Sequence, residues 1–118
     1  MISEKKFYEG TDLHVKFSCF EDDGTTPFDL GGGGRVEITL LRNGLKPFYL
    51  LTSTDDSSAN VSWTNRSEGT GTMTVPIRDV VVPTGMMKFG LVAVASDGRE
   101  EIQEISWITI RPGLRLAS

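Results

Sequence analysis

The sequence predicts an all-β fold, an immunoglobulin-like β-sandwich of about seven antiparallel strands. Apolar residues recur with period two along most of the chain, and turns rich in Gly, Pro, Asn and Asp separate these segments about every ten residues. Short alternating strands at this spacing are typical of a sandwich. One domain fits the 118 residues. We place it at residues 12–111, after an N-terminal arm at 1–11 and before a C-terminal tail at 112–118.

The first half of the chain contains three predicted strands. Residues 13–19 alternate apolar and polar side chains and end in the acidic turn 21–24. The glycine run at 31–34 predicts a flexible connection into the alternating segment 36–40. Asn43-Gly44 follows, and because both residue types tolerate positive φ, this pair predicts a type I′ hairpin into a return strand.

The second half continues the same pattern. Alternating residues at 61–63 and at 72–77 predict two more strands. The last hairpin is the clearest, because two long apolar segments at 87–95 and 102–110 flank the turn at 96–99, which contains an Asp-Gly pair. These elements complete a set of about seven strands, as a sandwich requires.

The final hairpin is apolar on both of its predicted faces. Neither face of 87–95 or of 102–110 is consistently polar, whereas a sandwich strand needs only one apolar face. We therefore expect an interaction surface on the outer face of the hairpin, covered by the N-terminal arm or by another subunit. A β-bulge that shifts the alternation midway explains the pattern equally well. The predicted surface residues are Val92, Val94, Ile108 and Ile110.

The chain holds few residues with catalytic or metal-binding chemistry. His14 is the only histidine and Cys19 the only cysteine, which excludes histidine pairs and an internal disulfide. Their odd separation places the two side chains on opposite faces of one strand, which does not suit a catalytic dyad. We therefore predict no catalytic residue, no metal site and no cofactor, and a buried Cys19 that acts as a small apolar side chain.

Three further features suggest ligand binding without matching a known motif. The acidic residues of turn 21–24 and Asp29 do not have the spacing of an EF-hand loop, so a solvated β-turn is favoured over calcium binding. The glycines at 31–34 lack the Lys-Ser/Thr that follows in a phosphate loop. Trp63 and Trp107 could stack on sugar rings, but each shares its alternation with an apolar neighbour, which favours core packing.

Charge and hydropathy limit the classes of partner. The net charge is −4, with six basic against ten acidic residues in 1–59 and six of each in 60–118. A nucleic-acid partner is not expected, because phosphate binding needs a clustered basic face. The apolar runs are far shorter than the ~20 residues of a membrane span, so no membrane insertion is expected. The first ten residues lack the apolar segment of a secretory signal.

Short motifs punctuate the predicted strands: FEDDG at 20–24, PFDL at 27–30, VEITL at 36–40, NG at 43–44, GTMTV at 71–75, PTG at 83–85 and DG at 97–98. Over about residues 13–110 the order of these motifs resembles that of phage tail and baseplate proteins, in particular the N-terminal Ig-like domain of the baseplate upper protein family. Two local departures are the glycines at 31–34, where that family has Thr-Gly, and an aromatic residue that follows Gly85 only at Phe89.

The resemblance implies a non-enzymatic structural module of the virion, in a baseplate, tail fibre or capsid attachment. It implies other virion proteins as partners and repeated copies of the chain as a homo-oligomer, made in the cytoplasm of the bacterial host. An alternative is a carbohydrate- or receptor-binding module at a fibre tip, with Trp63 or Tyr49 as a stacking platform. An enzyme or an enzyme accessory domain would require a convergent cluster of acids in a pocket.

Overall fold

The computed structural model of the protein describes residues 2–6, 13–45, 47–56, 60–75 and 85–110. The predicted C-terminal tail at 112–118 lies outside these residues. The described chain is built from eight strands and one short 3-10 turn, Arg66–Glu68. The strands are β1 (Ile2–Lys6), β2 (Leu13–Ser18), β3 (Arg35–Arg42), β4 (Phe48–Ser53), β5 (Asn60–Asn65), β6 (Thr70–Val75), β7 (Gly85–Val94) and β8 (Glu100–Ile110).

The strands form two four-stranded antiparallel sheets. The first sheet has the order β1-β2-β6-β5 and the second the order β4-β3-β7-β8. If the strands are lettered A, B, C, C′, D, E, F and G along the chain, the sheets read ABED and C′CFG. This is the strand order of a constant-type immunoglobulin domain with strand C′ added to its second sheet. The prediction of an immunoglobulin-like all-β sandwich is therefore confirmed.

The predicted N-terminal arm is part of the sandwich over residues 2–6. Strand β1 pairs antiparallel with β2 along the edge of the first sheet, so that Ile2 lies opposite Phe17 and Lys6 opposite His14. The arm therefore does not cover the outer face of the final hairpin, which belongs to the other sheet. The expectation of an arm over that face is wrong for these residues.

The core lies between the two sheets and follows the period-two pattern of the sequence. In β2 and β3 every second residue is buried, as with Val15 and Phe17, while the alternate residues are exposed or half-buried. Trp63 packs its ring edge-to-face on Phe17 at a centroid distance of 5.7 Å, so its predicted core role is confirmed. Cys19 is fully buried, and desolvation raises the pKa of its thiol to about 11, which keeps it neutral.

The glycine-rich connection before β3 is held in place by Arg66. The Arg66 guanidinium donates hydrogen bonds to the carbonyl oxygens of Leu30 at 2.8 Å and Gly34 at 2.7 Å, and it lies 4.6 Å from the ring centroid of Trp63. A Cβ on Gly34 would lie 2.7 Å from the Cα of Leu30. Glycine is therefore required at this position by the close approach of two backbone segments.

The hairpin at Asn43-Gly44 forms, but its turn differs from the prediction. Strand β3 ends at Arg42 and β4 begins at Phe48, so the connection spans residues 43–47 and is longer than a two-residue turn. Gly44 has a φ of 124°, whereas no described non-glycine residue has positive φ. A type I′ turn needs positive φ at both central residues, so the predicted turn type is wrong.

Gly69 provides a test of this packing, because two effects act on it together. It caps the 3-10 turn with a φ of 71°, and a Cβ there would lie 2.5 Å from the carbonyl oxygen of Phe28. Gly24 has a similar φ of 75° but no atom within 4 Å of the same Cβ position. We expect Gly24→Ala to cost about 1 kcal/mol of unfolding free energy, and Gly69→Ala about 1–3 kcal/mol more through overpacking.

Urea unfolding followed by circular dichroism measures both variants. Since the backbone strain is nearly the same at the two positions, the difference between them measures the close contacts of a Cβ at Gly69 with Phe28 and Cys19. Equal losses of stability in Gly24→Ala and Gly69→Ala would contradict the close approach of the two segments.

Candidate interaction surface

The outer face of the second sheet carries an unusual number of exposed apolar side chains. The register places these residues on one side of the sheet, opposite the core, in rows that cross all four strands. One such row runs from Tyr49 through Leu41 and Lys88 to Trp107. Six large apolar side chains on this side are each more than half exposed, and they define the apolar face: Tyr49, Leu51, Met86, Ile102, Ile105 and Trp107.

This exposure is concentrated on one surface. Among the described residues, Leu45 in the loop between β3 and β4 is the only other large apolar side chain that is similarly exposed. Isolated apolar residues are common on protein surfaces, but a contiguous group of them on one side of a sheet is typical of a binding surface. The apolar face is therefore the candidate functional site.

A β-bulge in β8 determines which residues of this strand lie on the apolar face. Leu91 pairs with Glu104 and Val92 with Ile102, so Gln103 is an additional residue in β8. The bulge shifts the alternation, and Ile102 and Ile105 consequently point to the same side although they are three residues apart. The bulge that the sequence left as an alternative is thus present, together with an apolar outer face.

Two of the four residues predicted for this surface lie elsewhere. Ile108 and Ile110 are 8% and 2% exposed and belong to the core. Val92 and Val94 lie on the outer side of β7, but Val92 is half-buried and Val94 is buried. The outer placement of Ile108 and Ile110 and the exposure expected for Val94 are therefore wrong, although the hairpin itself carries the exposed surface.

Trp107 shows the physical reason for this error. It is 67% exposed, so the prediction that it packs in the core is wrong. The inner side of β8 carries two polar residues, Glu104 and Ser106, whose side chains hydrogen-bond to each other at 2.7 Å. Polar residues normally mark the solvated face of a strand, but β8 is an edge strand and both of these positions are only half-buried.

The apolar face contains a shallow depression above Gly90, which we name the Gly90 notch. It has a volume of about 220 Å³ and is lined by Thr39, Leu41, Lys88, Phe89, Gly90, Val92, Ile102, Glu104 and Ile105. A Cβ on Gly90 would have no atom within 4 Å, and its φ is not in the positive region. Neither packing within the chain nor backbone geometry therefore requires glycine at this position.

One charged side chain of the outer side borders the Gly90 notch. Lys88 is exposed in the row between Leu41 and Trp107. Glu104 also contributes to the lining, but it pairs with the core residue Leu91 and its side chain lies on the inner side of β8. Beyond the notch, Arg35 and Glu37 form an ion pair at 3.0 Å on β3. The face is thus apolar at its centre, with one lysine beside the notch and an ion pair farther out.

The bulge is anchored through its own side chain to the segment that follows β2. The Gln103 amide accepts a hydrogen bond from the backbone N–H of Phe20 and donates one to its carbonyl oxygen, both at 2.8 Å. Nearby, the Arg99 guanidinium binds both carboxylate oxygens of Glu21, at 2.6 and 3.1 Å, and lies 4.8 Å from the ring centroid of Phe28. These contacts join the final hairpin to the segment that follows β2.

The acidic turn after β2 uses its central carboxylate for its own structure. Asp23 accepts hydrogen bonds from the backbone N–H groups of Thr25 and Thr26 and from the Thr26 hydroxyl, and these bonds lower its pKa to about 2. No group of three or more His, Cys, Asp or Glu residues that could hold a metal ion was found among the described residues. The turn therefore follows the β-turn interpretation of this segment.

Two further observations concern the wider molecule. Within the described residues, no helix is long and apolar enough to cross a membrane. Comparisons with models of known protein families and with curated proteins found no match.

Replacement of Gln103 tests the anchoring of the bulge. In Gln103→Glu the donor that faces the Phe20 carbonyl becomes an oxygen, so we expect a loss of about 1–3 kcal/mol in unfolding free energy at neutral pH. Because the charged form is disfavoured, the pKa of the introduced carboxyl is raised in the folded state. The loss should therefore shrink as the pH falls below that pKa, where the protonated carboxyl again donates.

Ser62→Glu on exposed strand β5 is the control, since it adds the same charge at an exposed position away from this contact. Urea unfolding at several pH values measures both variants relative to the parent chain. A Gln103→Glu deficit that does not depend on pH would contradict the role assigned to this amide.

Proposed function

We propose that the chain is a non-enzymatic structural module of a phage virion, which attaches to neighbouring subunits through the apolar face. The exposure of six large apolar side chains on one side of the second sheet carries this proposal. A folded domain rarely leaves such a contiguous surface in contact with water unless another molecule covers it. The surface lies on paired strands, so its side chains project from an ordered backbone.

The phage assignment is supported by the turn motifs that resemble the Ig-like domain of the baseplate upper protein family. In this proposal the chain is made in the bacterial host cytoplasm and enters a baseplate, tail fibre or capsid attachment in repeated copies. Its partners are other virion proteins and the chain itself. The acidic net charge is unfavourable for nucleic-acid binding.

Substitution of Ile105 tests the proposed attachment. Ile105 is 59% exposed at the centre of the apolar face, so Ile105→Lys should leave the fold intact and prevent incorporation into particles, because it buries a charge at the contact. Ser62→Lys, at an exposed position of the other sheet, should be incorporated normally. The measurement is quantitative mass spectrometry of particles purified from hosts that supply each variant.

Normal incorporation of Ile105→Lys together with Ser62→Lys would contradict attachment through the apolar face. A gene neighbourhood without capsid or tail proteins, together with particles that lack the parent chain, would end the phage proposal.

A second candidate function is binding of carbohydrate or of a receptor glycan at a fibre tip. The observation that favours it is the presence of two exposed aromatic side chains, Tyr49 and Trp107, on one face and in one row across the strands. Exposed aromatic rings can stack on the apolar faces of sugars. Trp63, the other candidate platform, is half-buried against Phe17 and is less available.

Fluorescence distinguishes this function from assembly. In a Trp63→Phe variant, Trp107 is the only remaining indole, so its emission reports directly on the apolar face. Sugar binding predicts a saturable change in emission when oligosaccharides from host cell walls are added, and loss of that binding in Trp107→Ala. No response to any such oligosaccharide would argue against the second candidate.

A further inference from the structure

We propose that the apolar face binds the same face of a second copy of this chain, with Trp107 of each copy seated in the Gly90 notch of the other. This inference rests on the proposed function, in that both use the apolar face for assembly, and it names the partner and the contact. Three observations on this face support it: its area, the glycine at its centre and the position of Trp107.

The area of the apolar face suits a specific contact between two proteins. Six large side chains, each more than half exposed, together offer on the order of 600 Å² of apolar surface, since an aromatic side chain presents about 150–250 Å² and an aliphatic one somewhat less. A standard protein interface buries about 800 Å² on each partner, and the polar surroundings supply part of it. A face of this size is sufficient for a dimer.

The glycine at the centre of the face indicates that something enters from outside. Glycine in a strand interior is less stable than alanine because it loses more backbone entropy on folding, and no atom of the chain lies within 4 Å of the missing Cβ of Gly90. In strands, glycine often marks a place where a ligand or another chain approaches closely. The resulting depression of about 220 Å³ exceeds the roughly 150 Å³ of an apolar cavity that admits benzene.

The apolar face supplies its own complement to this depression. Trp107 is the largest exposed side chain on the face and is 67% accessible. It lies opposite Lys88, and Gly90 lies opposite Ile105, so the indole and the notch are diagonal neighbours. In a two-fold contact each surface patch meets its own copy, so that residue i touches j and j touches i. A two-fold axis between the two faces can therefore place each indole in the other notch.

The charge beside the notch is compatible with this contact. Lys88 is two residues from Gly90 on the same side of β7 and also lines the notch. A lysine at this place can lie over the face of an inserted indole, which attracts a cation through its ring quadrupole.

Sedimentation velocity over micromolar to millimolar concentrations tests the proposal with three variants. Gly90→Val fills the notch from within, and since its Cβ meets no atom of the chain, the fold should be retained. Trp107→Ala removes the inserted ring. We expect each of these to weaken dimerisation at least about tenfold. Leu45→Ala, which truncates an exposed apolar residue outside the face, should leave dimerisation unchanged.

Trp63→Phe provides an independent measurement of dimerisation in a chain whose apolar face is unchanged. In this variant the emission of Trp107 should shift to shorter wavelength as the concentration rises, with the same midpoint as the sedimentation data, because the indole leaves water on dimerisation. Urea unfolding of Gly90→Val and Trp107→Ala at low concentration shows that each variant is folded.

Three outcomes would overturn the proposal: a monomer at every concentration, a dimer that withstands Gly90→Val and Trp107→Ala, and a dimer in which Trp107 stays exposed. The second and third would favour a contact through the edge of β8. If the chain is a monomer yet Ile105→Lys still prevents incorporation into particles, the second-copy contact fails while the proposed function stands. If the dimer forms but the parent chain is absent from particles, the virion role fails and the dimer stands.

Discussion

A single extra residue in the last strand sets which of its side chains lie on the outer side of the second sheet. Because Gln103 is an additional residue in the register of β8 with β7, Ile102 and Ile105 share one side of β8, whereas in a regular strand two residues three apart would lie on opposite sides. The bulge is supported by the hydrogen bonds of the Gln103 amide with the backbone of Phe20. The contribution of β8 to the apolar face is therefore tied to a contact with the segment that follows β2.

The two sides of the second sheet differ in burial, although the same strands form both. Inward residues such as Ile38, Phe89 and Leu91 are fully buried, and close packing of this kind holds the strand backbones in one position. The outward side chains are consequently presented from a backbone that is already ordered. Binding through such a face requires little further loss of backbone entropy, which favours affinity for a given area. The core thus contributes to the interaction surface without being part of it.

The sequence predicts most strands because their inner sides are uniformly apolar, as in β2 and β3. It does not predict β1, since the segment Ile2–Lys6 has one apolar residue and is defined by pairing with β2. It also misassigns β8, where the inner side carries Glu104 and Ser106. In both edge strands the structure depends on pairing with a neighbouring strand and on partial burial. The alternation of apolar and polar residues within one segment reveals neither of these two factors.

The turn at Asn43-Gly44 illustrates a similar limit. This pair correctly locates a hairpin, because glycine at position 44 supplies the positive φ that the reversal needs. It does not determine the length of the connection. That length is set by the last pair in the register of β3 and β4, Arg42 with Phe48. Gly90 is the converse case, since it interrupts an otherwise regular apolar strand and neither its φ nor its internal contacts explain it. The fold does not require this glycine, and its consequence is on the outer side of the sheet, where the depression it leaves adjoins the exposed indole of Trp107.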